Sequence, residues 1–407
     1  MCEREQRGLV IAACSKVKPK GGVWLVPSQS GTGKYTVCLD DDAPHCTCPD
    51  HETRGVVCKH IFAVRYTIER EYSEDGTITS KETLTVQRVR KTYPQNWPAY
   101  NAAQTNEKDK FQTLLRDLCE GLNMCDQQSR GRGRPPIPMG DAIFAATYKV
   151  YSTVSGRRFM SDLRDAHQKG YIGRLPSYNS IFNILDSKAT SNILQWLVSE
   201  SALPLKALET TFAADSSGFS GSRFDRWYDH KFGDHRIKRA WCKAHIMCGV
   251  KTNVITAVEI HSQNAGDSPL LKPLLAETAK LFNVSEVVAD MGYLSESNFE
   301  SIVARGATPF IPFKRNSVPR ESESGLWSKM YHYFHLNRED FLARYHQRSN
   351  VESTFSMVKA KFGDSVRSKL DVAMKNEVLC KFLCHNICCL IQSMYELDVE
   401  PVFWAAA

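Results

Sequence analysis

The apolar positions change rhythm several times along the chain, and each change predicts a different kind of element. Two short strand-like runs, Val23-Trp24-Leu25-Val26 and Tyr35-Thr36-Val37-Cys38-Leu39, flank a turn-rich stretch at 27–33 and predict a β-hairpin. From Val57 to about Arg70 the pattern turns helical. Residues 71–98 are charged, carry Ser-Glu-Asp-Gly at 73–76 with Pro94 and Pro98, and read as a linker. A helix is expected from about Ala102 to Leu122, with Phe111, Leu114, Leu115 and Leu118 on one side, and a second break rich in Gly, Arg and Pro spans 127–138. Helices are expected over 140–197. The texture then becomes strand-like at 210–215, 240–250 and 254–260, with Lys251-Thr252-Asn253 as a tight turn. A helix at 269–282 with Asp267 or Ser268 as its cap, a strand at 286–290, a helix at 295–305 closed by Gly306, and a strand at 308–312 follow, then long helices from about Arg344 and Ala373. Three strands joined by hairpins and extended by helical crossovers predict an α/β mixed sheet flanked by helices.

Composition changes this picture in two ways. The chain has 407 residues, room for two or three domains, and its net charge of +7 suits a polyanionic partner without requiring one. Its 14 cysteines, with no apolar leader behind Met1-Cys2-Glu3 and no run long enough to suggest a membrane span, point to a reduced cytosolic protein in which clustered thiols hold metal. Gly33-Lys34 invites a phosphate-loop reading, but Ser28 stands where the first glycine belongs and Tyr35 where a Ser or Thr would hold magnesium.

Cys46-Thr47-Cys48 and Cys58-Lys59-His60 lie ten residues apart, and three thiolates with one imidazole suit one tetrahedral Zn(II). His45 and His51 are rivals for the fourth position. The order Cys-x-Cys, Cys-x-His resembles the SWIM zinc finger, which implies a small ββα unit over 20–70 serving DNA or protein contacts.

The strongest local pattern is Tyr345, Arg348, Glu352 and Lys359. At 100° per residue the last three fall at about −60°, −20° and −40° from Tyr345, one stripe about 60° wide over four turns. A salt-bridged surface stripe is the bland alternative, since Arg348 and Glu352 are four apart. Tyr-x2-Arg-x3-Glu-x6-Lys resembles the signature of insertion-sequence DDE transposases, with every spacing intact. That resemblance, over about residues 130–400, implies a ribonuclease-H-like fold with two further aspartates, one ending the first strand and one ending the strand after the first crossover helix. Asp215 in Phe-Ala-Ala-Asp and Asp290 in Val-Val-Ala-Asp-Met-Gly-Tyr occupy those places.

The resemblance further implies a two-magnesium reaction on DNA, with Asp215 bridging both ions, Asp290 and Glu352 each holding one, and Arg348, Lys359 and Tyr345 at the phosphates of the cut end. The expected partner is double-stranded DNA, at element terminal repeats and target. A homodimer is expected on DNA, because two ends must be held together, and the setting is prokaryotic and nucleoid-associated. The expected layout is a zinc finger at 20–70, a linker with one helix and a basic segment at 71–138, a helical DNA-binding region at 139–200 and the catalytic domain at 205–397. Two other functions stay open, a DNA-binding regulator on an inactive transposase fold and a nuclease that cuts without joining.

Secondary features point the same way. Arg130-Gly131-Arg132-Gly133-Arg134-Pro135-Pro136 resembles an AT-hook that lays Arg132 and Arg134 in the minor groove, with a flexible basic linker as the alternative. Arg226, Lys231, Arg236, Lys238 and Arg239, interleaved with Trp227, Tyr228 and Trp241, could track DNA or form a solvated loop. Cys380, Cys384 and Cys388 repeat every four residues beside His385 and Cys389, a pattern expected of a core face rather than a second metal site.

Overall fold

The computed structural model describes residues 2–29, 33–39, 43–71, 95–124, 136–221, 241–262, 264–320 and 325–404. The chain divides into two compact units, 1–94 and 95–407.

In the first unit, helix α1 (Glu3–Cys14) precedes a four-stranded antiparallel sheet of β1 (Lys18–Lys20), β2 (Val23–Pro27), β3 (Lys34–Cys38) and β4 (His45–Cys46). Two helices follow, α2 (Pro49–Arg54) and α3 (Lys59–Glu71). The predicted hairpin is β2–β3, with Val26 opposite Tyr35. The unit is larger than the expected ββα finger, because α1 packs along α3. Gly8 makes that crossing close, since a Cβ there would stand 2.5 Å from the Phe62 Cβ.

The second unit begins with α4 (Trp97–Thr105) and α5 (Glu107–Met124), where one helix was expected. The break falls at Asn106, whose side chain turns back to donate to the Ala102 carbonyl. The Phe111, Leu114, Leu115 and Leu118 face of α5 is buried in the main core. Four helices fill 139–201: α6 (Met139–Tyr151), α7 (Gly156–Gln168), α8 (Tyr178–Leu185) and α9 (Lys188–Ser201).

The five-stranded sheet has the order β7-β6-β5-β8-β9, from β5 (Thr211–Ser220), β6 (Trp241–Gly249), β7 (Ile255–Ser262), β8 (Glu286–Ala289) and β9 (Thr308–Phe310). Strands β5, β6 and β7 form an antiparallel meander, while β8 and β9 run parallel to β5 after crossovers through α10 (Leu271–Leu281) and α11 (Glu296–Val303). This mixed α/β sheet is consistent with a ribonuclease-H-like domain. Its faces are covered by different helices. Phe212 meets Phe282 beyond α10, and Phe219 meets Phe382 on the last helix, in line with the alternation of side chains along a strand.

The chain closes with α12 (Leu326–Leu336), α13 (Arg338–Tyr345), a 3-10 turn at His346–Arg348, α14 (Ser349–Phe362) and α15 (Asp371–Glu396). Helix α15 corrects the expectation about membrane spans, because it is long and apolar enough to qualify, yet most of that window is buried inside the protein. Its polar residues clamp neighbouring segments. Asn386 pairs with the backbone of Ile255 and Val198, Lys381 donates to the carbonyls of Gly363 and Ser365, and Glu377 accepts from the amides of Arg367 and Ser368. Cys380 and Cys384 are buried against Thr147 of α6, and Lys361 donates to Cys388, so this cysteine row is core.

Candidate metal centre and candidate active site

In the first unit, β4 ends on Cys46, Cys48 leads into α2, and Cys58 and His60 open α3. All four are buried, and their ligand atoms lie within 4.8 Å of one another, the only such His/Cys/Asp/Glu group among the described residues. His60 Nδ1 is 3.9 Å from both the Cys46 and Cys58 sulfurs, and the Tyr35 ring packs 4.7 Å from the imidazole. Zinc bonds of about 2.0–2.3 Å to such donors fit inside this spacing after slight contraction. The rivals lie elsewhere: His51 Nδ1 donates to the Val56 carbonyl at 2.8 Å, and His45 is exposed with its ring against that of His51. Without a cation the thiols compete for one charge. A hydrogen bond from Cys46 holds Cys58 below the ordinary thiol range, while that pairing raises Cys46, and burial raises Cys48. The cluster could bind zinc, and four protein ligands would leave no open position for chemistry.

In the second unit, the parallel pairing of β5 with β8 brings Ala214 level with Ala289. The next residues, Asp215 within β5 and Asp290 just beyond β8, therefore lie side by side. Asp215 does not end β5, as the sequence suggested. The strand runs on to Ser220 because β6 continues to pair with it as far as Trp241. What ends at Asp215 is the pairing with β8, which opens a corner at the sheet's carboxyl edge.

Helix α14 lies against β5 and β6 over this corner. The sequence treated Tyr345 to Lys359 as one helix, whereas a 3-10 turn separates α13 from α14. Three 3-10 steps of about 120° return to the starting direction, so the stripe survives the break. Arg348 donates to Asp215 Oδ2 at 2.8 Å and, through its other terminal nitrogen, to Glu352. The i, i+4 pair is therefore present, but half of it reaches across to the sheet. Lys359 donates to Ser217 at 2.6 Å, two residues along the same face of β5 as Asp215. Tyr345 is half-buried against the main core.

Asp290 caps the 3-10 turn Met291–Tyr293 by accepting from the Gly292 amide. A Cβ at Gly292 would stand 2.8 Å from Asp290 Oδ1 and 3.5 Å from Asp267 Oδ2, so the turn is shaped for glycine. Burial raises the Asp215 carboxyl above its ordinary range, the Ser216 amide and Arg348 oppose this, and Asp290 and Glu352 add to it. Burial works against the charge of Arg348, but the surrounding acids outweigh it and hold the guanidinium above its ordinary range.

A second polar layer escaped the sequence reading. Asp267 stands at the N-cap of the 3-10 turn Ser268–Leu270 that leads into α10, but its side chain makes no capping hydrogen bond. Its Oδ1 accepts from Ser216 Oγ and from Lys243, both at 2.8 Å. His245 is fully buried with its Nδ1 3.4 Å from Asp267 but off the line of a hydrogen bond, and the buried Tyr293 hydroxyl lies beside Ser216. The available signal was the alternation of Lys243 and His245 in a strand otherwise apolar. Arg132 and Arg134 lie outside the described residues, as do Arg226, Trp227, Tyr228, Lys231, Arg236, Lys238 and Arg239.

The family model of the transposase DDE domain matches residues 206–387. The matched stretch begins just before β5, ends within α15, and contains Asp215, Asp290 and Glu352. A DDE transposase domain carries a transposase-type function, a nuclease or transposase enzyme class, dependence on divalent metal ions, and DNA as partner. No curated protein matches the chain.

Proposed function

We propose that the chain is a DNA transposase of a mobile element, which binds the element's ends, cuts the DNA and joins the freed 3′ hydroxyl to a target. The observation that supports this reading is the convergence of three acids from separate elements inside the matched stretch. Asp215 lies on β5, Asp290 directly follows the adjacent strand β8, and Glu352 on α14 is tied to Asp215 through Arg348. A surface stripe needs no such link to the sheet.

The donor set is one of hard oxygens and suits magnesium. Asp215, between the other two, would bridge a pair of ions, with Asp290 and Glu352 at the flanks. Two such ions, when bound, activate the attacking oxygen and stabilise the leaving one. The chain's own groups do the rest. Arg348 and Lys359 hold phosphate oxygens, Tyr345 borders the terminal phosphate, and the Ser216 and Gly292 amides fix the aspartates. The Cys46, Cys48, Cys58 and His60 cluster is a structural zinc site of the SWIM type, suited to contacts rather than catalysis. The enzyme acts as a dimer on paired ends.

The test is metal-dependent cutting of duplexes that carry the DNA flanking this gene. Asp215→Asn and Glu352→Gln are expected to bind the duplex and leave it uncut. Cutting that survives either change, or wild type that cuts without joining, would replace this reading with a different active site or a simple nuclease.

A further inference from the structure

Arg348 holds the centre of the carboxylate site. Its guanidinium and the Asp215 side chain are each only 19% exposed, and one fork reaches both Asp215 and Glu352. Both Asp215 oxygens are engaged, Oδ1 by the Ser216 amide at 2.8 Å and Oδ2 by Arg348. One Asp290 oxygen is engaged by Gly292. An oxygen committed to a guanidinium is lost to a divalent cation, and the guanidinium charge repels that cation. The same fork matches a phosphate, which it would grip in two places. Arg348 has one fork and two anionic partners of different kinds.

We propose that Arg348 is a latch that makes metal binding depend on DNA. In the DNA-free protein the guanidinium ties Asp215 to Glu352 and keeps divalent ions out. A backbone phosphate at the site draws the guanidinium away and frees the two carboxylates together. Metal and DNA therefore bind with positive coupling, and each tightens the other by the same factor. This deepens the reading of Asp215, Asp290 and Glu352 as a metal-binding set and rests on it.

Removing any nearby positive charge would strengthen cation binding somewhat, so the variants must separate contact from charge. Arg348→Lys keeps the charge but supplies a point donor that can pair with one carboxylate and not bridge two. Lys359→Ala removes a nearby charge from α14, but one that is directed to Ser217.

The experiment follows free Mn²⁺ by electron paramagnetic resonance in titrations of the full zinc-loaded chain, with and without saturating duplex carrying a flanking end. Asp215→Asn serves to define the site. Wild type is expected to bind Mn²⁺ weakly alone and about 5- to 150-fold more tightly with duplex, the usual span of such couplings. Arg348→Lys and Arg348→Ala are expected to bind tightly without duplex and to gain little from it, and Lys359→Ala to shift the DNA-free affinity far less. Asp215-dependent binding of equal strength in wild type and Arg348→Lys overturns the latch alone. A gain in Arg348→Ala matched by Lys359→Ala also overturns it, leaving only a charge effect. Absence of Asp215-dependent binding in every protein, with or without duplex, overturns the carboxylate site itself.

Discussion

Stripping the metal from the Cys46, Cys48, Cys58 and His60 cluster, or replacing Cys58 with serine, is expected to unfold the first unit and leave the second intact. Among the described residues the hydrophobic core of that unit contains nine buried residues, three of which are the cysteines themselves. The rest are Ile11, Val26, Val37, Ile61, Val64 and the small Ala63. At about 1.5–3 kcal/mol for each of the five larger side chains, their burial contributes on the order of 10 kcal/mol. A structural zinc contributes about 10–16 kcal/mol at neutral pH, as much as the whole apolar core, and so decides whether the unit folds. The assay pairs zinc release to a chromogenic chelator with limited trypsin digestion. Protein purified without added zinc should yield about one zinc per chain, the expected outcome if the four-ligand cluster holds zinc. On chelation, cleavage should appear after Lys59 and Arg65, which lie within α3, while fragments of 95–407 persist. Protein that contains no zinc as purified, yet resists trypsin as well as the loaded form, would show that the first unit folds without the metal.

Three further outcomes are expected. Gly292→Ala would push a methyl group to within 2.8 Å of Asp290 Oδ1, and should cut DNA cleavage at least about tenfold at unchanged melting temperature; full activity would show that the Asp290 turn tolerates displacement. Glu209, buried and accepting from the amides of Lys251 and Thr252, ties down the β6–β7 turn, so Glu209→Ala should cost about 3 kcal/mol in urea unfolding, and a loss below about 0.5 kcal/mol would contradict that role. Burial pushes His245 and His385 down to about 4, below their ordinary value near 6.5, so each favours folding above 6.5 and loses that contribution as pH falls towards 4. His385→Gln should flatten the acid limb of the stability profile, and an unchanged limb would count against it.

Much of the site could be read from the sequence because its signals are local. Phe212-Ala213-Ala214 and Val287-Val288-Ala289 are short apolar runs, each followed at once by an aspartate, and spacing alone aligns Arg348, Glu352 and Lys359. The Cys-x-Cys and Cys-x-His pairs are equally local. What was missed depends on partners distant in the chain. The first strand was expected to end at Asp215, but Ser216-Ser217-Gly218 stays extended because β6 supplies its hydrogen bonds, and Gly218 lets the Trp241 ring approach. No proline or glycine marks the 3-10 turn at His346–Arg348, whose position follows from docking on the sheet. Asp267 reads as a helix cap and is instead drawn to Lys243 and Ser216. Helix α1 was invisible because its Gly8 and polar run signal little until α3 lies beside it.

The most direct measurement is an Mg²⁺ reaction on DNA fragments carrying the two ends that flank this gene, run with wild type and Asp290→Ala. Precise cutting and joining are expected of wild type, and binding without either step of the variant. Binding by wild type with no cleavage in Mg²⁺ or Mn²⁺ would contradict this expectation, and would make the chain a DNA-binding regulator that retains the carboxylates without their chemistry.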